Sequence, residues 1–192
     1  FCLYLSKRTG SLYAIATDKS GQIEQWLLKP LASGDGFDGE HVRSLRVESQ
    51  PEGCVADDEY GQLFVGEEAR GVWKFGAEPG DGEAGELIAK ASEPITEDAR
   101  LYPDVEGLSI YAPEGETAGY LVASSQGNDT YVLFDRLRPH AYRGTFQIEL
   151  NGHKTGDTDG LDVTALAVGD RFPGGLLVVQ DVVRVLDGFT GC

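Results

Sequence analysis

The chain has 192 residues, with 32 Asp or Glu against 16 Lys or Arg and a formal net charge of -16. That balance argues against nucleic acid as a partner, because the phosphate backbone repels an acidic surface. The apolar share of 41% is that of a folded globular protein, and no apolar run reaches the ~18 residues that a membrane-spanning helix needs.

The first element is the strand-like "FCLYLS" at Phe1. No basic and apolar leader precedes it and the chain contains no Met, so it reads as an internal piece of a longer protein, truncated at both ends. "GSLYAIAT" follows at Gly10, then the turn "DKSG" with Lys19, then "EGCVADD" at Glu52 and "GQLFVGEE" at Gly61. A polar loop over 77–86 leads to "PDVEGLSIY" at 103–111, and a second over 112–119 leads to "GYLVASSQ" at Gly119. "DGLDVTA" at Asp159 and "GLLVVQD" at Gly175 close the series. Short Val, Ile, Leu, Tyr and Phe runs alternate with Gly, Asp, Asn and Pro turns, the pattern of an all-β chain. No domain linker is evident, so 1–192 is expected to be one domain.

Cys2, Cys54 and Cys192 are an odd number at wide spacing, with no CxxC pair and no disulfide framework. Cys2 and Cys54 are expected to be small buried apolar residues of strands. On that reading cysteine usage says nothing about redox compartment.

Two registers repeat. The Gly-x-Leu elements at Gly10, Gly61, Gly119 and Gly175 start 51, 58 and 56 residues apart. The acid-Gly elements at Glu52, Glu106 and Asp159 start 54 and 53 apart. A strand-filled period in the fifties predicts β-propeller blades of four antiparallel strands. Within a blade, the acid-Gly element opens one strand and the Gly-x-Leu element forms the next. Antiparallel pairing then brings Glu52, Glu106 and Asp159 to the same end as Glu68, Gln126 and Asp181. Glu52, Glu68, Asp104, Glu106, Asp157 and Asp159 are therefore expected at one mouth. Oxygen donors without converging His or Cys favour a hard cation such as Ca²⁺ over zinc. For any single acid beside a glycine, a turn role is an equal alternative.

Other chemistry is not indicated. His41, His140 and His153 form no metal-binding pair, and "VASSQGN" lacks a nucleophile elbow, so Ser124 and Ser125 show no sign of a nucleophilic role. "GDTDGLD" has its glycine too early for an EF-hand loop. Lys19 could hold an anion beside the acids, or be only a turn lysine.

The stretches "DDEYGQLFVGEE", "VWKFGAEP", "PDVEGLSIY", "GYLVASSQGN", "DTDGLDV" and "FPGGLLVVQD" resemble, in order, the β-propeller phytases, calcium-dependent six-bladed phytate hydrolases. The resemblance runs from Phe1 to about Asp181. It implies that Glu52, Glu68, Asp104, Glu106, Gln126 and Asp159 are calcium ligands or their neighbours, that Glu68, Asp104 and Glu106 are catalytic, and that Lys19 contacts phosphate. It further implies several Ca²⁺ ions, phytate or other inositol phosphates as substrate, attack on phosphorus by a calcium-bound water, a monomer, secretion, and Tyr-Gly directly upstream of Phe1. Three to four of six blades are expected, and the chain alone is expected to be poorly active, with Leu121, Val122, Leu176 and Leu177 on uncovered sheet faces. Two departures stand out. Gly152-His153-Lys154-Thr155-Gly156 replaces a family Asp-Gly-x-Ser stretch, and Val182-Val183 replaces Gly and Asn, leaving 182–192 unaligned. A calcium-stabilised propeller that binds without turnover is the alternative.

Overall fold

The structure is a computed structural model that describes residues 1–181. Three four-stranded antiparallel sheets follow one another along the chain. The first comprises β1 (Cys2–Leu5), β2 (Leu12–Thr17), β3 (Gln22–Pro30) and β4 (Phe37–Arg46). The second comprises β5 (Pro51–Asp57), β6 (Gln62–Glu67), β7 (Gly71–Gly76) and β8 (Glu86–Lys90). The third comprises β9 (Val105–Tyr111), β10 (Tyr120–Ser125), β11 (Thr130–Asp135) and β12 (Tyr142–Phe146). A short hairpin, β13 (Glu149–Leu150) with β14 (His153–Lys154), precedes the pair β15 (Leu161–Thr164) and β16 (Leu176–Val179). Every sheet is a meander in chain order. The first strands of successive sheets pack side by side, β1 on β5, β5 on β9 and β9 on β15. These are blades set around an axis, and the chain is all-β, a partial β-propeller.

The core lies between blades. Leu63, Val65 and Phe75 of the second blade pack with Tyr4, Tyr13, Ile15, Ile23 and Leu45 of the first. Phe64 and Val72, from the other face, pack with Leu108, Leu121, Ala123, Val132 and Phe134 of the third. β6 is thus covered on both faces, which is why "QLFVGE" is nearly continuous in apolar residues rather than alternating. Leu121 and Val122 are buried, at 0% and 4% exposure, and do not lie on an open face as the sequence reading had it. Their strand β10 has neighbours on both sides. Large exposed apolar side chains instead include Leu3 and Leu5 on β1 and Val178 on β16.

The acid-Gly elements form β-bulges. In β5 the register passes from Pro51 opposite Glu67 to Cys54 opposite Val65, so Glu52 and Gly53 together face the single Gly66. In β9 Glu106 and Gly107 likewise face the single Ser124. A bulge bends its strand and re-aims a side chain, here the acid. The glycine admits the next blade: a Cβ on Gly53 would lie 2.2 Å from the Glu106 carbonyl oxygen, and one on Gly107 2.9 Å from that of Asp159. Gly53→Ala therefore pushes backbone against backbone. It should cost about 1–3 kcal/mol, the usual range for overpacking. Denaturant unfolding of the variant checks this, and an unchanged midpoint would show that the inner strands have slack.

Cys2 and Cys54 form a disulfide, with Cα atoms 5.7 Å apart. This corrects the expectation that the two are unpaired apolar residues without a disulfide framework. They stand 52 residues apart, close to one repeat, and so lie on adjacent inner strands, Cys2 opposite Ile15 and Cys54 opposite Val65. Residues 182–192, including Cys192 and the tail read as unaligned, lie outside the described residues.

Candidate active site

The ends of the inner strands carry the acids. Glu52 and Glu106 sit in their bulges, Asp104 directly precedes β9, Asp159 directly precedes Gly160 and β15, and Glu68 and Gln126 directly follow β6 and β10. Backbone hydrogen bonds close this end: Val105 N–H donates to the Glu68 carbonyl at 3.0 Å, and Gln126 N–H to that of Asp104 at 2.9 Å. The first of these crosses from one blade to the next. Lys19 lies in the turn after β2, exposed to solvent.

The charges of these side chains act on one another. Glu106, only 8% exposed, has its carboxyl pushed up to about 7, first by burial and then by the negative charges of Glu52, Asp159, Glu68 and Asp104. Glu68 is raised by burial, Asp104 and Glu52, and drawn down by the nearby ammonium of Lys19. Five carboxylates from three blades thus bear on one another at this end of the inner strands, with the Lys19 ammonium beside Glu68. Gln126 joins them through Asp159, donating from Nε2 to its Oδ1 at 2.5 Å. That bond turns the Gln126 amide nitrogen toward the carboxylate and leaves its Oε1 as a donor atom for a cation.

Two acids expected here have other partners. Asp157 donates its backbone N–H to Asp129 Oδ1 at 3.2 Å. Asp181 accepts from Gly156 N–H at 3.1 Å and lies 2.8 Å from His153 Nε2, contacts that hold its carboxyl below the ordinary range. His153 thus stands against a carboxylate.

Among the described residues, no three Asp, Glu, His or Cys side chains converge closely enough to enclose a metal ion by themselves. The donor set nevertheless fits a hard cation: it is all oxygen, and burial together with the uncompensated charge of four neighbouring carboxylates raises Glu106 toward neutrality. An open carboxylate rim of this kind leaves coordination positions for water and for substrate oxygens. A cavity of about 670 Å³ lined by Tyr111, Tyr120, Asp135, Arg138 and Arg143 lies at the other end of the third blade and contains none of these acids.

Ser124 and Ser125, which show no nucleophilic signature, bond to backbone instead. Ser124 Oγ donates to the Thr158 carbonyl at 2.8 Å. Ser125 Oγ accepts from Tyr102 N–H at 2.7 Å and donates to the Tyr102 carbonyl at 3.2 Å. Their only visible signal was adjacency to Gln126.

A family model described as Phytase matches residues 1–190. A curated relative, the 3-phytase of Bacillus subtilis (strain 168), is 44% identical over 193 residues that cover 98% of this chain. The same match covers 48% of the relative, so the chain spans about half its length. The acid-bearing bulges fall inside the matched span, and the chain belongs to the phytase family.

Proposed function

We propose that the intact protein is a calcium-dependent phosphomonoesterase acting on phytate, and that the acid-lined mouth is its active site. The observation that carries this reading is the coupling of Glu52, Glu68, Asp104, Glu106 and Asp159 around one space with Lys19 at hand. Those five carboxylates and Gln126 would hold several Ca²⁺ ions. When bound, calcium supplies positive charge against the substrate phosphates and against the water that attacks phosphorus. The chain's own residues do the rest. Lys19 offers an ammonium to a phosphate oxygen. The Glu106 carboxyl, close to half-protonated near neutral pH without a cation, can exchange a proton with water at the mouth. Glu68 and Asp104 keep that water among acceptors. Water and phosphomonoester give alcohol and inorganic phosphate.

Secretion belongs to the same reading. The Cys2–Cys54 disulfide suits an oxidising compartment. Among the described residues, no helix is long and apolar enough to cross a membrane. A six-bladed ring and a monomeric state complete the proposal.

Calcium should stabilise the protein, and more so at higher pH. A ligand at ~100 times its dissociation constant that binds only the folded state adds about 2.7 kcal/mol per site. The Glu106 carboxyl is raised on folding from 4.5 to about 7, so the folded state holds an extra proton between those values. In calcium-free protein its contribution to stability is full below pH 4.5 and is lost as pH rises through about 7. Bound calcium keeps the carboxylate ionised and removes that loss. Thermal unfolding in chelator and in calcium, between pH 5 and 8, checks the sign, and Glu106→Ala should flatten the difference. A melting temperature indifferent to calcium would defeat the metal assignment. The binding-module alternative is favoured by one observation, the engagement of Asp181 with His153. It expects calcium stabilisation without phosphate release from phytate, so the same samples assayed for phosphate separate the two readings.

A further inference from the structure

We infer that the adjacent serines Ser124 and Ser125 are positioning residues, each holding the chain segment that carries one acid of the mouth. This rests on the reading of that mouth as the calcium site. Both residues are buried, at 1% and 0% exposure, and each hydroxyl bonds to backbone.

Ser125 clasps Tyr102 through both its N–H and its carbonyl. Tyr102 is two residues before Asp104, in a stretch that forms no strand of its own. The Gln126 N–H on the Asp104 carbonyl is the next bond along. The segment 102–104 is therefore tied to the end of β10 at two successive points, and Asp104 is held where the strand stops.

Ser124 points to the opposite face of β10, as alternation along a strand requires, and reaches into the next blade. Its acceptor is the carbonyl of Thr158, one residue before Asp159. Thr158 is itself buried, at 3% exposure. Its hydroxyl lies 2.7 Å from Tyr131 Oη and donates to the Gln180 carbonyl at 2.9 Å. Gln180 returns to the same segment, donating from Nε2 to Asp159 Oδ2 at 3.2 Å and accepting from Gly160 N–H at 3.2 Å. Asp159 is thus carried on a short stretch held by Ser124, Tyr131 and Gln180. Without the serines, both segments become loops whose carboxylates must be ordered when a cation binds, and affinity falls by that ordering cost.

The division of labour is testable by cycles in the intact protein. Ser125→Ala and Ser124→Ala should each weaken calcium binding, measured by calorimetry, by roughly ten-fold, the lower end for groups that orient metal ligands. In an Asp104→Asn background Ser125→Ala should have no further effect, while Ser124→Ala keeps its full effect. In an Asp159→Asn background the roles reverse. A merely structural role would lower stability in all backgrounds alike and leave this cross-pattern absent, which would overturn the assignment. Thr158→Val should match Ser124→Ala, and Thr158→Ser should restore binding. Should the wild type take up no calcium, the proposed function fails on its own account. The positioning claim is then judged by crystal structures of the two serine variants: displaced 102–104 and 158–160 segments support it, and unmoved ones refute it.

Discussion

Replacing Cys2 and Cys54 together by Ser should lower stability by on the order of 4 kcal/mol, from the entropy of closing a loop of this length in the unfolded chain. The bond joins residues 52 apart in sequence, and it does so across the first two blades. A large part of the stability of an ordinary domain, 5–15 kcal/mol, rests on it. Denaturant unfolding of the double variant against the oxidised protein measures the loss, and reductant applied to unfolded wild type should raise the thiol titre by two. The consequence reaches the site. Cys54 is two residues beyond Glu52 and forms the first regular pair after the bulge, opposite Val65. Reduction should therefore weaken calcium binding as well as stability. Equal unfolding midpoints for the oxidised protein and the double variant would show that interblade packing alone holds β1 against β5.

The blade plan was readable because it is periodic. Two series of glycine-marked elements, each with a spacing in the fifties, required equivalent strands, and equivalent strands required a shared end for Glu52, Glu106 and Asp159. What the glycines do was not readable. Gly53 and Gly107 looked like turn residues beside acids, yet they lie in bulges and make room for the next inner strand. That role depends on a neighbour some fifty residues away. The disulfide was within reach of the repeat, which sets Cys2 and Cys54 on adjacent inner strands, but judging cysteines by local spacing hid it. Ser124 and Ser125 were weighed only as nucleophiles. Their actual bonds run to carbonyl and amide groups of Thr158 and Tyr102, and backbone partners leave no trace in residue type. Antiparallel pairing places Asp181 at the end that Asp159 opens, and Gln180 N–H does donate to the Gly160 carbonyl at 2.8 Å, but the bonds of the Asp181 carboxylate to His153 and to Gly156 N–H leave no trace in that pattern. Asp157 sits at φ 47, a left-handed backbone conformation.

Arg136→Ala should be as damaging as loss of the disulfide, at about 3–5 kcal/mol, the range for removing one partner of a buried ion pair. Arg136 and Asp57 are 4% and 2% exposed. The guanidinium donates from Nε to Asp57 Oδ2 at 2.6 Å and from Nη2 to Oδ1 at 2.7 Å, a two-pronged contact, with Glu59 at 2.9 Å and the Tyr60 ring 4.8 Å away. Asp57 ends β5 and Arg136 directly follows β11, so the pair ties the second blade to the third at the end away from the acids. Truncating Arg136 leaves the Asp57 carboxylate buried without its counter-charge, which is where most of the cost arises. Arg136→Met with Asp57→Leu removes both charges and should regain much of it, because apolar groups of similar volume substitute well for buried pairs. The measurement is denaturant unfolding of both variants. A second readout bears on function. Glu52 and Glu68 belong to one of these blades and Asp104 and Glu106 to the other, so the cation site proposed here spans the interface that Arg136 secures. Calcium stabilisation should shrink in Arg136→Ala although no residue of the mouth has changed. A loss below 1 kcal/mol, with calcium stabilisation intact, would mean that the pair only balances its own desolvation and that apolar packing aligns the blades.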